Sequence, residues 1–244
     1  MKKHDDLWPG VESLQLIPLF HNLSDAQRAH LYVTVRRYSF RTGDFLMQHG
    51  RPSEGVLFIV EGTVKICRTT TALGHGGREV ILQIKSVGAL VGDAHLDGAP
   101  GQAASAIALE TVICLMWSVA DFLSYVEDWP VLKDGLMQLF SSYEYQSASR
   151  LEVVALHNVT ASLAAQMLLF AAEYGQRQVD GSVLLPLALT QSVWAGLTGH
   201  SRENINKAFK RFQENGWIES LPHRRLLIRD CEALRRAHLS ALPR

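Results

Sequence analysis

The spacing of apolar side chains changes character twice along the chain. Between residues 38 and 117 they fall in short runs, at 45–47, 56–60, 64–66, 80–82 and 112–116, divided by Gly43, Gly50, Gly55, Gly62, Gly76, Gly77 and Gly88. Short alternating runs punctuated by glycine predict an antiparallel barrel or sandwich. Ser24 with Gln27, and Ser118 with Asp121, form capping-box patterns that predict helices on either side of it. Beyond Trp129 and Pro130 the step lengthens to three and four residues, through Leu132, Leu136, Leu139, Tyr143, Ser147, Leu151 and Val154, which predicts a long helix. Such a stripe is either core or the seam of a two-stranded coiled coil. Gly135 weakens its first turn by about 1 kcal/mol relative to Ala, so fraying is expected there. A second helix over 161–174 ends at Gly175.

Residues 189–230 carry the densest local signals. Thr190 suits a helix cap, and Val193, Trp194 and Leu197 form the buried stripe of that helix. Gly199 stands where the chain must turn sharply, and Ser201 caps a second helix whose apolar face is Ile205, Ala208, Phe209 and Phe212. Its opposite face carries Arg202, Glu203, Asn206, Lys207 and Lys210, and Asn215 with Gly216 ends it. Two short strands, 217–219 and 226–228, flank His223, Arg224 and Arg225. Helix, turn, helix and basic hairpin in this order predict a winged helix-turn-helix that lays one helix in a DNA major groove. Arg and Lys donate to guanine O6 and N7, Glu accepts from cytosine N4, and Asn pairs with adenine, so Arg202, Glu203, Asn206 and Lys207 are the candidate base readers. Thr190, Ser201, Lys210, Arg224 and Arg225 are the candidate phosphate contacts, which give affinity without sequence information.

Charge supports that division. The chain of 244 residues has no net charge, which argues against a generic polyanion binder. Its residues 186–244 hold ten basic and five acidic side chains, a net +5, so the remainder is −5. Cys67, Cys114 and Cys231 are too few and too far apart for an iron-sulfur cluster and suit buried thiols in a reducing cytoplasm. The first ten residues contain no apolar run that would make a signal peptide. Two charge-free runs, 153–172 and 181–201, are long enough to span a bilayer. Their polar side chains and turn residues predict buried helices instead. No nucleophile elbow, metal pair or P-loop points to an enzyme.

Taken together, the stretch 58–64, the run 88–93, the recognition segment 201–207 and the hairpin resemble the CRP/FNR family of bacterial transcription regulators over nearly the whole chain. The resemblance implies an α+β chain: an antiparallel β-roll sensor domain over 1–128, a long dimerisation helix over 129–157 and a winged helix-turn-helix over 158–244. It implies a homodimer on a roughly palindromic double-stranded DNA site, contact with RNA polymerase, no membrane, and control through the β-roll pocket. Because helix-turn-helix dimers read half-sites about 34 Å apart, the seam reading of the long helix is favoured. Arg202, Glu203 and Lys207 fall on the three base-reading positions of the cyclic-AMP receptor branch, with Lys207 where that branch has Arg. Lysine lacks the planar fork, so discrimination at that base pair is expected to weaken or shift.

The effector turn departs from the family. Cyclic-nucleotide-binding members open it with Gly-Glu and close it with Arg-Ser; Gly92 and Asp93 open it here, and Ala103 and Ala104 stand at the close. Ser147 matches the long-helix position whose hydroxyl meets adenine. Loss of the Arg and Ser predicts cyclic-AMP binding weakened by orders of magnitude, since charge-assisted hydrogen bonds contribute about 1.5–3 kcal/mol each. A haem reading would lean on His95, one residue away from a relative's ligand position. The alternative to a DNA-binding regulator is a ligand sensor, for a cyclic nucleotide or haem, whose winged domain acts through protein contacts.

Overall fold

The computed structural model describes residues 10–52, 55–70, 78–92, 101–155 and 158–240. Contact density separates one compact unit ending at Tyr143 from a second beginning at Glu144.

In the first unit, α1 (Asp25–Thr34) starts at the expected capping box: the Ser24 hydroxyl accepts from Gln27 N–H, and the Gln27 side chain accepts from Ser24 N–H. Eight strands follow: β1 (Arg36–Phe40), β2 (Phe45–Met47), β3 (Gly55–Glu61), β4 (Val64–Thr70), β5 (Arg78–Lys85), β6 (Leu90–Val91), β7 (Ser105–Ala108) and β8 (Val112–Ser118). They pair antiparallel into two four-stranded sheets, β1-β8-β3-β6 and β2-β7-β4-β5. The strand expected at 80–82 extends to the whole of β5, because it pairs with β4 from Val64 opposite Lys85 to Thr70 opposite Arg78.

Strand β3 is buried on both faces, which is why it shows no polar alternation. Leu57 and Ile59 join Phe40, Met47, Cys114 and Met116 in one apolar cluster. Val56, Phe58 and Val60 join Trp117 and Phe122 in a second. The Trp117 indole N–H donates to Leu31 C=O at 3.0 Å, so this large fully buried ring leaves no unsatisfied donor.

After α2 (Val119–Asp128) comes α3 (Pro130–Ala155), where the expected stripe divides. Leu132 and Leu136 are core residues of the first unit, with Leu139 packed against them. Further along, Ser147, Leu151 and Val154 are exposed. Met137, Phe140, Tyr145, Leu151 and Val154 are open to solvent; all but Tyr145 fall on one heptad row, whose intervening positions are the exposed Glu144 and Ser147. Thus the row with coiled-coil spacing begins at Met137, not Leu132. Gly135 lies inside a continuous helix against Leu19, whose Cδ1 would have to shift for a Cβ placed there at 2.8 Å.

The second unit opens with the end of α3, tied to α4 (Val159–Tyr174) by an Arg150–Glu173 ion pair at 3.2 Å whose arginine is buried. Asn158 caps α4 by accepting from Thr160 and Ala161 N–H, which moves the helix start two residues ahead of the apolar pattern. The remaining elements are β9 (Gln176–Arg177), β10 (Val183–Leu185), α5 (Gln191–Thr198), α6 (Arg202–Glu214), β11 (Ile218–Ser220), β12 (Leu226–Ile228) and α7 (Cys231–Leu239), with a sheet ordered β11-β12-β10-β9. No helix among the described residues is long and apolar enough to cross a membrane.

The three thiols differ in access. Burial, reinforced by Glu79, pushes Cys67 up to about 11; burial alone raises Cys114 further; half-buried Cys231 is raised mainly by burial. In native protein near pH ~8, iodoacetamide should therefore label Cys231 first and reach Cys67 and Cys114 only on unfolding. Mass spectrometry with and without urea checks this, and equal native labelling of all three would contradict it. Because its folded pKa exceeds the ordinary value, Cys67 contributes stability that is present below pH 9.0 and lost as pH rises toward about 11.

Candidate nucleic-acid interface and ligand pocket

The helix-turn-helix is built by local chemistry at each junction. The Thr190 hydroxyl accepts from Val193 N–H at 3.3 Å, starting α5, and Val193, Trp194 and Leu197 are buried as expected. Gly199 takes φ of +74°, the left-handed turn that a side chain would strain. The Ser201 hydroxyl then accepts from Asn204 N–H at 3.2 Å to start α6. Ile205, Ala208, Phe209 and Phe212 face inward. Trp194 packs against Phe170 of α4 (5.5 Å between centroids) and against Phe209 (5.8 Å), which sets α5 and α6 on α4.

At its far end α6 closes in a Schellman motif. Trp217 N–H donates to Phe212 C=O and Gly216 N–H to Gln213 C=O, with Gly216 at φ of +70°. The Phe212 and Trp217 rings pack 5.2 Å apart, the apolar contact that accompanies this cap. The cap claims Trp217, so the strand expected at 217–219 begins one residue later. Trp217 C=O accepts in turn from Arg229 and Asp230 N–H.

The exposed face of α6 holds Arg202, Glu203 and Lys207. Lys207 Nζ lies 2.7 Å from Glu203 Oε1, and this contact holds the Glu203 carboxyl below the usual carboxylate range. Lys210 stands 3.7 Å from Glu214. Asn206 differs from its neighbours: it is half-buried, and its Oδ1 is out of solvent without a hydrogen-bond partner among the described residues. On the hairpin tip His223 and Arg224 both take positive φ, at 58° and 62°. Arg202, Arg224 and Arg225 form no ion pair among the described residues, whereas Arg229 is neutralised by Asp180 and Glu219. A hollow of about 310 Å³ is lined by Thr190, Gln191 and Ser192 of the α5 start together with Arg202, Arg224 and Arg225. Gln191 and Ser192 extend the polar lining beyond the sequence-predicted residues, and their polar pair beside the Thr190 cap is the signal for them.

In the first unit, Gly92 takes φ of +93° after β6 and lies against the Met47 methyl. Asp93 and His95 lie outside the described residues. Ala103 is exposed and Ala104 half-buried ahead of β7, and their side chains are methyl groups. Ser147 is exposed on α3 in the other unit. No spacing rule points to Lys85, which ends β5 buried with its ammonium donating to Leu90 C=O at 2.6 Å and lying 4.1 Å from the Tyr143 ring centre. A separate cavity of about 450 Å³ opens between β1, β2 and the following turn.

Residues 163–237 match the Crp-like helix-turn-helix domain, and residues 37–128 match the cyclic nucleotide-binding domain. The chain belongs to the CRP/FNR family. It is 26 % identical over 225 residues to the CRP-like cAMP-activated global transcriptional regulator of Mycobacterium tuberculosis, covering 92 % of this chain and 98 % of that protein. A CooA variant from Carboxydothermus hydrogenoformans shares the fold with a TM-score of 0.72 at 17 % identity, over 90 % of this chain and 94 % of that one. FixK2 from Bradyrhizobium japonicum does so with a TM-score of 0.70 at 15 % identity, over 83 % and 96 %.

The expected architecture, antiparallel strands of a cyclic-nucleotide-type domain followed by a helix-turn-helix, is the CRP/FNR fold. It is a family of transcription regulators rather than enzymes. In this CRP/FNR chain Glu203 and Lys207 are paired side by side on α6, which gives a direct electrostatic test. In a Lys207→Met variant the Glu203 carboxyl should titrate at a higher pH than in the parent protein, because the Lys207 hydrogen bond is the largest cause of its lowering. Carboxyl-detected NMR titration reads this directly, and an unmoved midpoint would show the pair to be absent in solution.

Proposed function

We propose that this CRP/FNR-type regulator is a cytoplasmic homodimer that binds a roughly palindromic DNA site, contacts RNA polymerase and is switched through its β-roll unit. One observation carries the DNA reading: Arg202, Glu203 and Lys207 stand exposed on α6 while Arg202, Arg224 and Arg225 surround one hollow at the α5 start. Arg202, Glu203 and Lys207 read base edges, and Asn206 does so only by turning its half-buried amide outward. Thr190, Ser201, Lys210, Arg224 and Arg225 hold phosphates, with the unpaired wing arginines supplying most of the affinity.

The exposed row Met137, Phe140, Leu151 and Val154 is the surface along which α3 meets its counterpart. The working division is a sensor over 1–128, a dimerisation helix over 129–157 and a DNA-binding domain over 158–244. Occupation of the sensor shifts the long helices and with them the separation of the two recognition helices.

Cyclic AMP does not fit the turn closed by Ala103 and Ala104, whose methyl groups offer a cyclic phosphate nothing but backbone. Calorimetry should therefore show no micromolar cyclic-AMP binding, and finding it would overturn this part of the reading. Selection of DNA sites by the purified protein, with and without cyclic AMP, should return the same two-fold symmetric site. Arg202→Ala should lose about 1–3 kcal/mol of discrimination at one base pair per half-site. Arg225→Ala should weaken binding to all sequences and lower the salt slope by about one. Failure to retain any DNA, or a salt-independent gel shift, would favour a sensor whose winged domain contacts protein instead.

A further inference from the structure

The cavity of about 450 Å³ in the first unit has the composition of a small-molecule site and involves none of the residues at the close of the family's effector turn. Its floor is made by Phe40, Met47, Leu57 and Met116, each less than a tenth exposed. Two of the chain's five methionines meet there, and their unbranched thioethers adapt to different apolar shapes. Phe45 stands half-exposed at the rim, in a three-residue strand whose register against β7 shifts between Phe45 and Met47. Such irregularities re-aim side chains and gather beside functional sites.

The rim also carries Asp44, Gln48 and Arg51. Asp44 is engaged in the turn between β1 and β2, where its Oδ2 accepts from Arg41 N–H at 2.8 Å. The Arg51 guanidinium enters no ion pair among the described residues. An adaptable apolar floor beneath a guanidinium that no described carboxylate engages complements an apolar body ending in a carboxylate.

We propose that this cavity binds a small carboxylic acid with an aliphatic or aromatic body, the carboxylate held by Arg51 and the body seated on Met47 and Met116. The volume lies within the roughly 300–1,000 Å³ of small-molecule sites. Met47 also connects the cavity to the effector turn, since its methyl lies against Gly92. An occupant that moves Met47 changes the support of that turn. This last step rests on the regulator reading; binding itself does not.

The test uses the full chain in calorimetry with octanoate, 3-phenylpropionate, phenylalanine and the uncharged octanamide. Both simple acids should bind, and octanamide should bind roughly tenfold or more weakly, as expected for loss of a charge-assisted pair. Arg51→Gln, a change at an exposed side chain, should remove that preference and leave octanamide binding where it was. Met116→Trp, which fills the floor, should abolish all of it. Phenylalanine binding above both acids would support the site and add Asp44 as the partner of its ammonium group. No acid binding to the parent protein, or acid binding indifferent to Arg51→Gln, would overturn the proposal. DNA binding by the same preparation, measured in parallel, separates that outcome from a failure of the regulator reading.

Discussion

The DNA-binding unit depends on one ring. Trp194 lies between Phe170 of α4 and Phe209 of α6, so a single buried side chain sets the angle between the helix that begins the motif and the helix that exposes Arg202, Glu203 and Lys207. The caps at Thr190 and Ser201 and the left-handed Gly199 fix where each helix starts, but they do not fix how the helices cross. Packing against Trp194 does. The charged face of α6 can then be wholly polar because its apolar face is fully employed.

The other unit is organised around a strand buried on both faces. Strand β3 contributes alternate residues to two separate apolar clusters, and the Trp117 indole bonds to the end of α1 across one of them. One consequence is a rigid frame around a less regular region: β2 is short and shifted, its Met47 sits against Gly92, and the 450 Å³ cavity opens there. Lys85 belongs to the same frame. A buried ammonium tolerates its surroundings only with partners, and the Leu90 carbonyl and Tyr143 ring provide them.

What could be read from the sequence follows the range of the forces involved. The caps of α1, α5 and α6, the turn at Gly199, the helix end at Gly216 and the basic hairpin tip are local, and each stands within a residue or two of its expected place. Tertiary packing decided the rest. The α3 stripe divided because Leu132 and Leu136 meet the first unit's core while Met137 and Phe140 do not, and a period of three and four residues fits either row. The short pairing of β9 with β10 carries too few residues for a periodic signal. Asn206 looked equivalent to its neighbours on the helix wheel, and only the packing withdraws half of its surface. The Lys85 cluster and the cavity over Met47 join residues far apart in sequence, which no spacing rule reaches.

Trp217 has a mechanical consequence. Its N–H completes the cap of α6, its ring packs on Phe212, and its carbonyl receives the chain where it leaves the wing for α7. Recognition helix, hairpin and final helix are therefore keyed together at one residue. A displacement of the end of α6 would reach the start of the wing and of α7 through the same residue. Trp217 thus couples the two ends of this surface, and Trp194 couples the surface to α4.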